Sequence, residues 1–255
     1  MKNIIIIPSR MASTRFKNKP MTELLGMPMI GHCYLRSKMV KNIDEVFVAT
    51  CDKEIYEYII TIGGQCIMTS MSHTRASTRT AEALEKIEKR DGIKIPIVIM
   101  VQGDEPAISP DTISKIVKAF DNKEVQIVNL MSSLNTKEEL RDNNNVKVVV
   151  NKDSDALYFS REPIPSLWSG DLNIPRYMQT GIIAFRRDAL VKFNSIKETI
   201  LEQVESIDMN RVLESGGSVR MIHTSDKTLG VDVIEDVKIA EAMLAKDSVT
   251  KRYLK

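Results

Sequence analysis

Between Pro8 and Lys19 the chain places the cations Arg10, Arg15 and Lys19 around the hydroxyls of Ser9, Ser13 and Thr14, directly after the run Ile4-Ile5-Ile6-Ile7. Guanidinium forks and an ammonium interleaved with hydroxyls can hold several phosphate oxygens at once. The loop has neither G-x-G-x-x-G nor G-x-x-x-x-G-K-[ST], so a grip on a polyphosphate would come from side chains rather than from a glycine-rich backbone cradle. A second signal is Val101-Gln102-Gly103-Asp104-Glu105-Pro106, where an apolar run ends in a carboxylate and Pro106 stops the strand. An Asp in that place suits Mg²⁺, which takes one or two carboxylates and completes its shell with phosphate oxygens and water. Gly230-Val231-Asp232 supplies a second carboxylate. Taken separately, the loop also fits a solvated basic surface, and Asp232 fits a helix cap.

These residues need a scaffold that brings strand ends together. Short β-branched runs at 3–7, 45–50, 65–68 and 97–101 alternate with helical patterns at 29–40, 53–62 and 78–89, the rhythm of a parallel α/β sheet with crossover helices. The cation loop and Asp104 then lie at carboxyl ends of strands, where open α/β sheets bind ligands. Ser109-Pro110-Asp111 starts a helix over 112–120, and strand-like runs follow at 126–131, 146–150, 156–159 and 181–185. The stretch 161–176 holds three of the nine prolines and the only Trp, Trp168, and is expected to be an exposed arm of a smaller lobe around 140–190. Asp232-x-x-Glu235 reads as a capping-box start for the last helix.

Composition narrows the class further. The 255 residues carry 36 Lys+Arg against 34 Asp+Glu, a net charge of +2, and 43% of them are hydrophobic, which argues against disorder and against a nucleic-acid stripe. The four isoleucines ended by Pro8 are too short for a signal-peptide core or a membrane span, so a cytoplasmic protein is expected. Cys33, Cys51 and Cys66 form no CxxC pair and read as buried reduced thiols, and His32 and His223 lack partners at metal-ligand spacing.

Five blocks in order resemble the CMP-Kdo synthetases, the 3-deoxy-manno-octulosonate cytidylyltransferases. They are Pro8-Ser9-Arg10-x-x-Ser13-Thr14-Arg15-x-x-x-Lys19-Pro20, Gln102-Gly103-Asp104-Glu105-Pro106, Asn145-Val146-Lys147-Val148-Val149, Ala156-Leu157-Tyr158-Phe159-Ser160-Arg161 and Gly230-Val231-Asp232-x-x-Glu235-Asp236. The resemblance implies one Rossmann-like nucleotidyltransferase domain over 1–255, with a mixed, mostly parallel sheet, flanking helices and a dimerisation lobe. It implies Mg²⁺-dependent transfer of CMP from CTP to an acidic sugar, with release of pyrophosphate, by a homodimer that binds neither nucleic acid nor membrane. By position, Arg10, Lys19, Asp104 and Asp232 would be catalytic, with Asp104 and Asp232 on the metal. Pro8, Ser9, Arg10, Ser13, Thr14, Arg15, Lys19, His73, Arg75, Ser77, Arg79, Gln102 and Gly103 would line the nucleotide. Gln102, Arg161, Gln179, Ile183, Glu202 and Gln203 would line the acceptor pocket.

Three departures from the family stand out. Its Ser-Gly-Thr-[Glu/Asp]-Arg segment is replaced by Arg75-Ala76-Ser77-Thr78-Arg79. Its His-x-Gly-x-Tyr aligns with Gln179-Thr180-Gly181-Ile182-Ile183. Lys17-Asn18 stands where Pro-Gly is usual, a change that still suits a loop. The first two keep an alternative open, a different acidic acceptor such as an amino-ulosonate or a phosphonate. A nucleotide-sugar glycosyltransferase using Asp104, and a nucleotide-binding regulatory module without turnover, are the further alternatives.

Overall fold

The computed structural model describes residues 2–12, 16–168, 174–226 and 229–254. In chain order the strands are β1 Asn3–Ser9, β2 Glu23–Leu24, β3 Met27–Pro28, β4 Glu45–Thr50, β5 Cys66–Met68, β6 Ile97–Val101, β7 Ile127–Ser133, β8 Lys147–Val150, β9 Ala156–Ser160, β10 Tyr177–Arg186 and β11 Arg220–Thr224. The helices are α1 Met29–Ser37, α2 Lys53–Thr61, α3 Ala76–Asp91, α4 Pro110–Ala119, α5 Lys137–Arg141, α6 Arg187–Ser195, α7 Ile200–Glu205, α8 Asp208–Glu214 and α9 Glu235–Lys246.

The sheet runs β11-β7-β10-β6-β1-β4-β5, with β8 on β10 and β9 on β8. Strands β5, β4, β1 and β6 are mutually parallel. The long β10 is inserted antiparallel between β6 and β7. From β1 the chain first builds outward through β4 and β5, then returns to the other side of β1 with β6. The β1/β6 boundary is therefore the switch point at which an open α/β sheet has room for a ligand.

Both faces of the central strands are covered, which explains why they read as continuous apolar runs without polar alternation. Ile4 and Ile6 face a core completed by Ala83, Leu84 and Ile87 of α3 and by Leu190 and Phe193 of α6. Ile5 and Ile7 face the opposite core, with Ile30 and Cys33 of α1, Ile55 and Ile59 of α2, and Ile113 and Ile116 of α4. All four isoleucines are fully buried, and each contributes about 1.5–3 kcal/mol relative to exposure. A third, smaller cluster joins Leu24, Met29, Val231, Ala240 and Leu244 under the loop that carries Phe16.

Two expectations are corrected. Asp232 is not the cap of α9: the helix starts at Glu235 behind Ile234, and the Asp236 carboxylate instead accepts the N–H groups of Asp232 at 2.8 Å and Val233 at 3.0 Å. The region after 133 also holds elements that its patterning does not announce, namely β11 and the short helices α5 to α8. These have five to seven residues except α6, which has nine, and tertiary partners hold them where their own periodicity is too short to. The three cysteines are free thiols, but only Cys33 is buried, whereas Cys51 and Cys66 are partly exposed near strand ends. His32 is buried, with Nε2 at 2.8 Å from the Leu24 carbonyl and Nδ1 at 2.7 Å from the Tyr253 hydroxyl, a structural role.

Candidate active site

At the switch point the tips of β1 and β6 come close because Gly103 has no side chain. A Cβ there would stand 3.2 Å from Ser9 Oγ, 3.3 Å from the Pro8 carbonyl oxygen and 3.2 Å from Ile30 Cδ1. Past Gly103 the chain turns away, and the Val231 N–H donates to the Asp104 carbonyl at 2.9 Å, which pins the segment carrying Asp232 beside the β6 tip. Lys19 arrives from the other side on a single turn of 3-10 helix, Lys19–Met21. Asn18, just before it, has φ 59°. Asn tolerates this left-handed conformation far better than most side chains, so Asn18 can hold a position where the family uses Gly.

The Lys19 ammonium lies 2.7 Å from Asp104 Oδ2 and 3.6 Å from Asp232 Oδ1. Two carboxylates from distant parts of the chain thus converge on one cation, and their side chains keep 24% and 32% exposure. This donor set fits Mg²⁺: hard oxygen ligands, two of them, open to solvent on the side where phosphate oxygens would complete the shell.

Glu105 is a site residue to which the sequence reading assigns no role. It is buried, with Oε1 accepting the Gly181 N–H at 2.5 Å and Oε2 without a partner among the described residues. Burial pushes its carboxyl up to about 7, the Gly181 N–H opposes this, and the charges of Asp104 and Asp232 add to the rise. Its only signal in the sequence is its place beside Asp104.

The expected nucleotide residues divide into two groups. Pro8, Ser9, Arg10, Lys19, Gln102 and Gly103 stand at or next to the β1 and β6 tips, whereas Ser13, Thr14 and Arg15 lie outside the described residues. Among the described residues Arg10 makes one long contact, 3.4 Å to the His73 carbonyl. Arg79 reaches the same carbonyl at 3.4 Å but is nearly buried and is also held by Thr69 Oγ1 and the Ser70 carbonyl. It therefore shapes the 69–73 turn instead of presenting a free guanidinium. The His73 ring is paired with Glu82.

Arg75 and Ser77 are engaged elsewhere in the fold. Arg75 is engaged by Asp208 at 3.2 Å and Glu198 at 3.4 Å, and buried Ser77 donates to Asp208 at 2.8 Å. Both tie the start of α3 to α8, so their polar groups already have protein partners.

The acceptor set divides in the same way. Gln102, just past β6, and Gln179 on β10 lie beside Gly181, with the Gln102 N–H on the Gly181 carbonyl at 3.0 Å and Gln179 Oε1 buried and without a partner among the described residues. Ile183 is instead a core residue, packed with Phe185 and Met100. Glu202 is fully buried and bound by the Arg211 guanidinium at 2.5 and 2.6 Å, so it cannot touch an acceptor. Gln203 is exposed on α7, beside that sealed pair. The Arg161 guanidinium donates to the carbonyls of Asn143 and Glu205, each at 2.8 Å, which anchors the start of the arm.

A carboxylate pair and a lysine at the switch point of a mixed α/β sheet, beside a loop of cations, define a nucleotidyltransferase. The family model for cytidylyltransferases matches residues 4–228. The chain is 39% identical to a 3-deoxy-manno-octulosonate cytidylyltransferase of Fusobacterium nucleatum, covering 93% of this chain and 95% of that protein. It is 36% identical to one of Christiangramia forsetii, covering 95% and 96%. Among solved structures it superposes on CMP:2-keto-3-deoxy-manno-octonic acid synthetase complexed with CTP with a TM-score of 0.88 and 33% identity, over 96% of this chain and 99% of that one. The chain belongs to the cytidylyltransferase family, among the 3-deoxy-manno-octulosonate cytidylyltransferases. The expected fold class, a nucleotidyltransferase sheet with flanking helices, is borne out.

Proposed function

We propose that the chain transfers CMP from CTP to 3-deoxy-manno-octulosonate in a Mg²⁺-dependent reaction that releases pyrophosphate. The observation that carries this reading is the convergence of Asp104 and Asp232 on one cation at the β1/β6 switch point, in a chain whose relatives bear that activity's name. The acceptor hydroxyl attacks the α-phosphorus, the bond to the β-phosphate oxygen breaks, and the hydroxyl proton is lost to solvent or a nearby base. Mg²⁺ held by Asp104 and Asp232 would neutralise charge on the phosphates. Lys19 then turns from the two carboxylates toward the triphosphate, and Arg10, with Ser13, Thr14 and Arg15, holds its oxygens. Such fixed charges favour the transfer most where negative charge grows on the departing pyrophosphate. Gln102 and Gln179 orient the acceptor. No covalent intermediate is required, because positioning and charge stabilisation suffice for phosphoryl chemistry of this kind.

The alternative acceptors drew on Arg75 and on the altered acceptor strand. Arg75 is already paired with two carboxylates and Ile183 lies in the core, so Gln179 remains as the difference facing the site. This favours the ordinary acceptor. The enzyme is proposed to be a cytoplasmic homodimer joined through the lobe around 140–190, where Leu157 and Trp168 are exposed. The deciding experiment incubates the chain with CTP, Mg²⁺ and a panel of acidic sugars and phosphonates. Mass spectrometry should find the CMP conjugate of 3-deoxy-manno-octulosonate with equimolar pyrophosphate, and chelation should abolish both. A conjugate formed only with another acceptor would overturn the choice.

A further inference from the structure

Strand β10 does not run evenly along β7. Gln179 faces Met131 and Ile183 faces Asn129, four steps on β10 against two on β7. Two extra residues therefore bulge out of the ladder, and their carbonyls need donors from elsewhere. Asn129 supplies them. It is fully buried in mid-strand, and its Nδ2 lies 3.1 Å from the Thr180 carbonyl, 2.9 Å from that of Ile182 and 3.2 Å from that of Leu130. Its Oδ1 has no partner among the described residues. A buried amide that leaves its acceptor unused is held for its N–H groups, since burial without them is costly.

The other edge of the same bulge meets the catalytic strand. The Gly181 carbonyl accepts the Gln102 N–H at 3.0 Å, and the Gly181 N–H meets Glu105 Oε1 at 2.5 Å. A Cβ on Gly181 would stand 2.8 Å from Glu105 Oε1 and 3.0 Å from Gln102 Cβ. The approach is closer than a side chain allows. Even pairing with β6 resumes at Ile182 opposite Val101.

We infer that Asn129 is a positioning residue for the acceptor half of the reaction, acting through the backbone of residues 180–182 to set Gly181 against Gln102 and Glu105. The inference rests on the proposed function only in calling this the acceptor half. Lys19 and Asp232 are held by other elements, through the Lys19–Met21 turn and the Val231 N–H, so CTP binding should not depend on the bulge.

The test compares wild type with Asn129→Leu, which keeps the size and removes the donors, and with Gly181→Ala, which crowds the same contact from the other side. Readouts are CTP affinity by calorimetry, steady-state constants for 3-deoxy-manno-octulosonate, and amide exchange along the sheet. Both variants should raise the acceptor KM at least about tenfold while CTP affinity stays within about twofold, a split that general destabilisation does not produce. Amides 180–183 should exchange faster in Asn129→Leu, with those of β1 unchanged. An unchanged acceptor KM, or parallel losses in CTP and acceptor binding with faster exchange across the whole sheet, would overturn the assignment. If Asn129→Leu does not fold, Gly181→Ala decides alone by the same KM split. Wild-type protein inert toward 3-deoxy-manno-octulosonate would count against the acceptor choice, leaving the exchange data to decide the role of Asn129.

Discussion

Two clusters of opposite charge in this chain read alike in sequence, and the fold gives them opposite meanings. At the β1 and β6 tips, Lys19, Asp104 and Asp232 satisfy one another across a gap that remains open to solvent. Between α7 and α8, Glu202 and Arg211 are closed to it, with 0% and 5% side-chain exposure, and Arg211 also donates to the Phe193 and Ile196 carbonyls and stacks over Phe193 at 4.4 Å. In the first cluster a ligand can take the place of a partner. In the second, nothing can enter without leaving a buried charge unpaired. A charged cluster becomes a binding site through exchangeable partners, not through charge count.

The largest expected effect tests the sealed cluster. Glu202→Gln leaves Arg211 buried without its counter-ion and should lower unfolding free energy by about 3–5 kcal/mol. Urea titration reads this, and full stability with a selective loss of acceptor binding would return Glu202 to the active site. In the open cluster, Asp104→Asn or Asp232→Asn should cut turnover by about 10²-fold or more with little change in the urea midpoint. Normal turnover of either variant at low Mg²⁺ would sink the metal assignment.

Arginines sharpen the contrast. Arg10→Ala should lower turnover and CTP affinity roughly tenfold, the worth of one charge-assisted hydrogen bond. Arg75→Ala, by contrast, should leave the CTP constants alone and loosen the α3–α8 contact, and a CTP defect as large as that of Arg10→Ala would show it to be a ligand after all.

The smallest effect concerns His32. Burial holds its imidazole below the ordinary 6.5, with Arg36 adding to the drop and the Leu24 hydrogen bond opposing it. The folded chain thus binds fewer protons than the unfolded one. The His32 contribution to stability is full above pH 6.5 and is lost as pH falls through the lowered folded value. Between pH 7.5 and 5.5 the urea midpoint of wild type should fall more than that of His32→Gln; equal falls would place the titration elsewhere.

The sequence by itself determined the central strands, the three crossover helices among them, and the carriers of chemistry at their ends, because an apolar run covered on both faces and a carboxylate after it are local patterns. It also marked Lys19, Asp104 and Asp232 through ordered blocks of similarity, and Asn18 as a tolerable substitute for glycine. Only the tertiary structure decided which polar residues remain available. Arg75, Ser77, Arg79 and Glu202 carry the right chemical types, but Asp208, the 69–73 turn and Arg211 use up their hydrogen bonds across sequence separations that no local pattern encodes. The bulge that Asn129 supports is hidden for the same reason: it depends on β10 being inserted between β6 and β7, a pairing that strand propensity alone cannot specify.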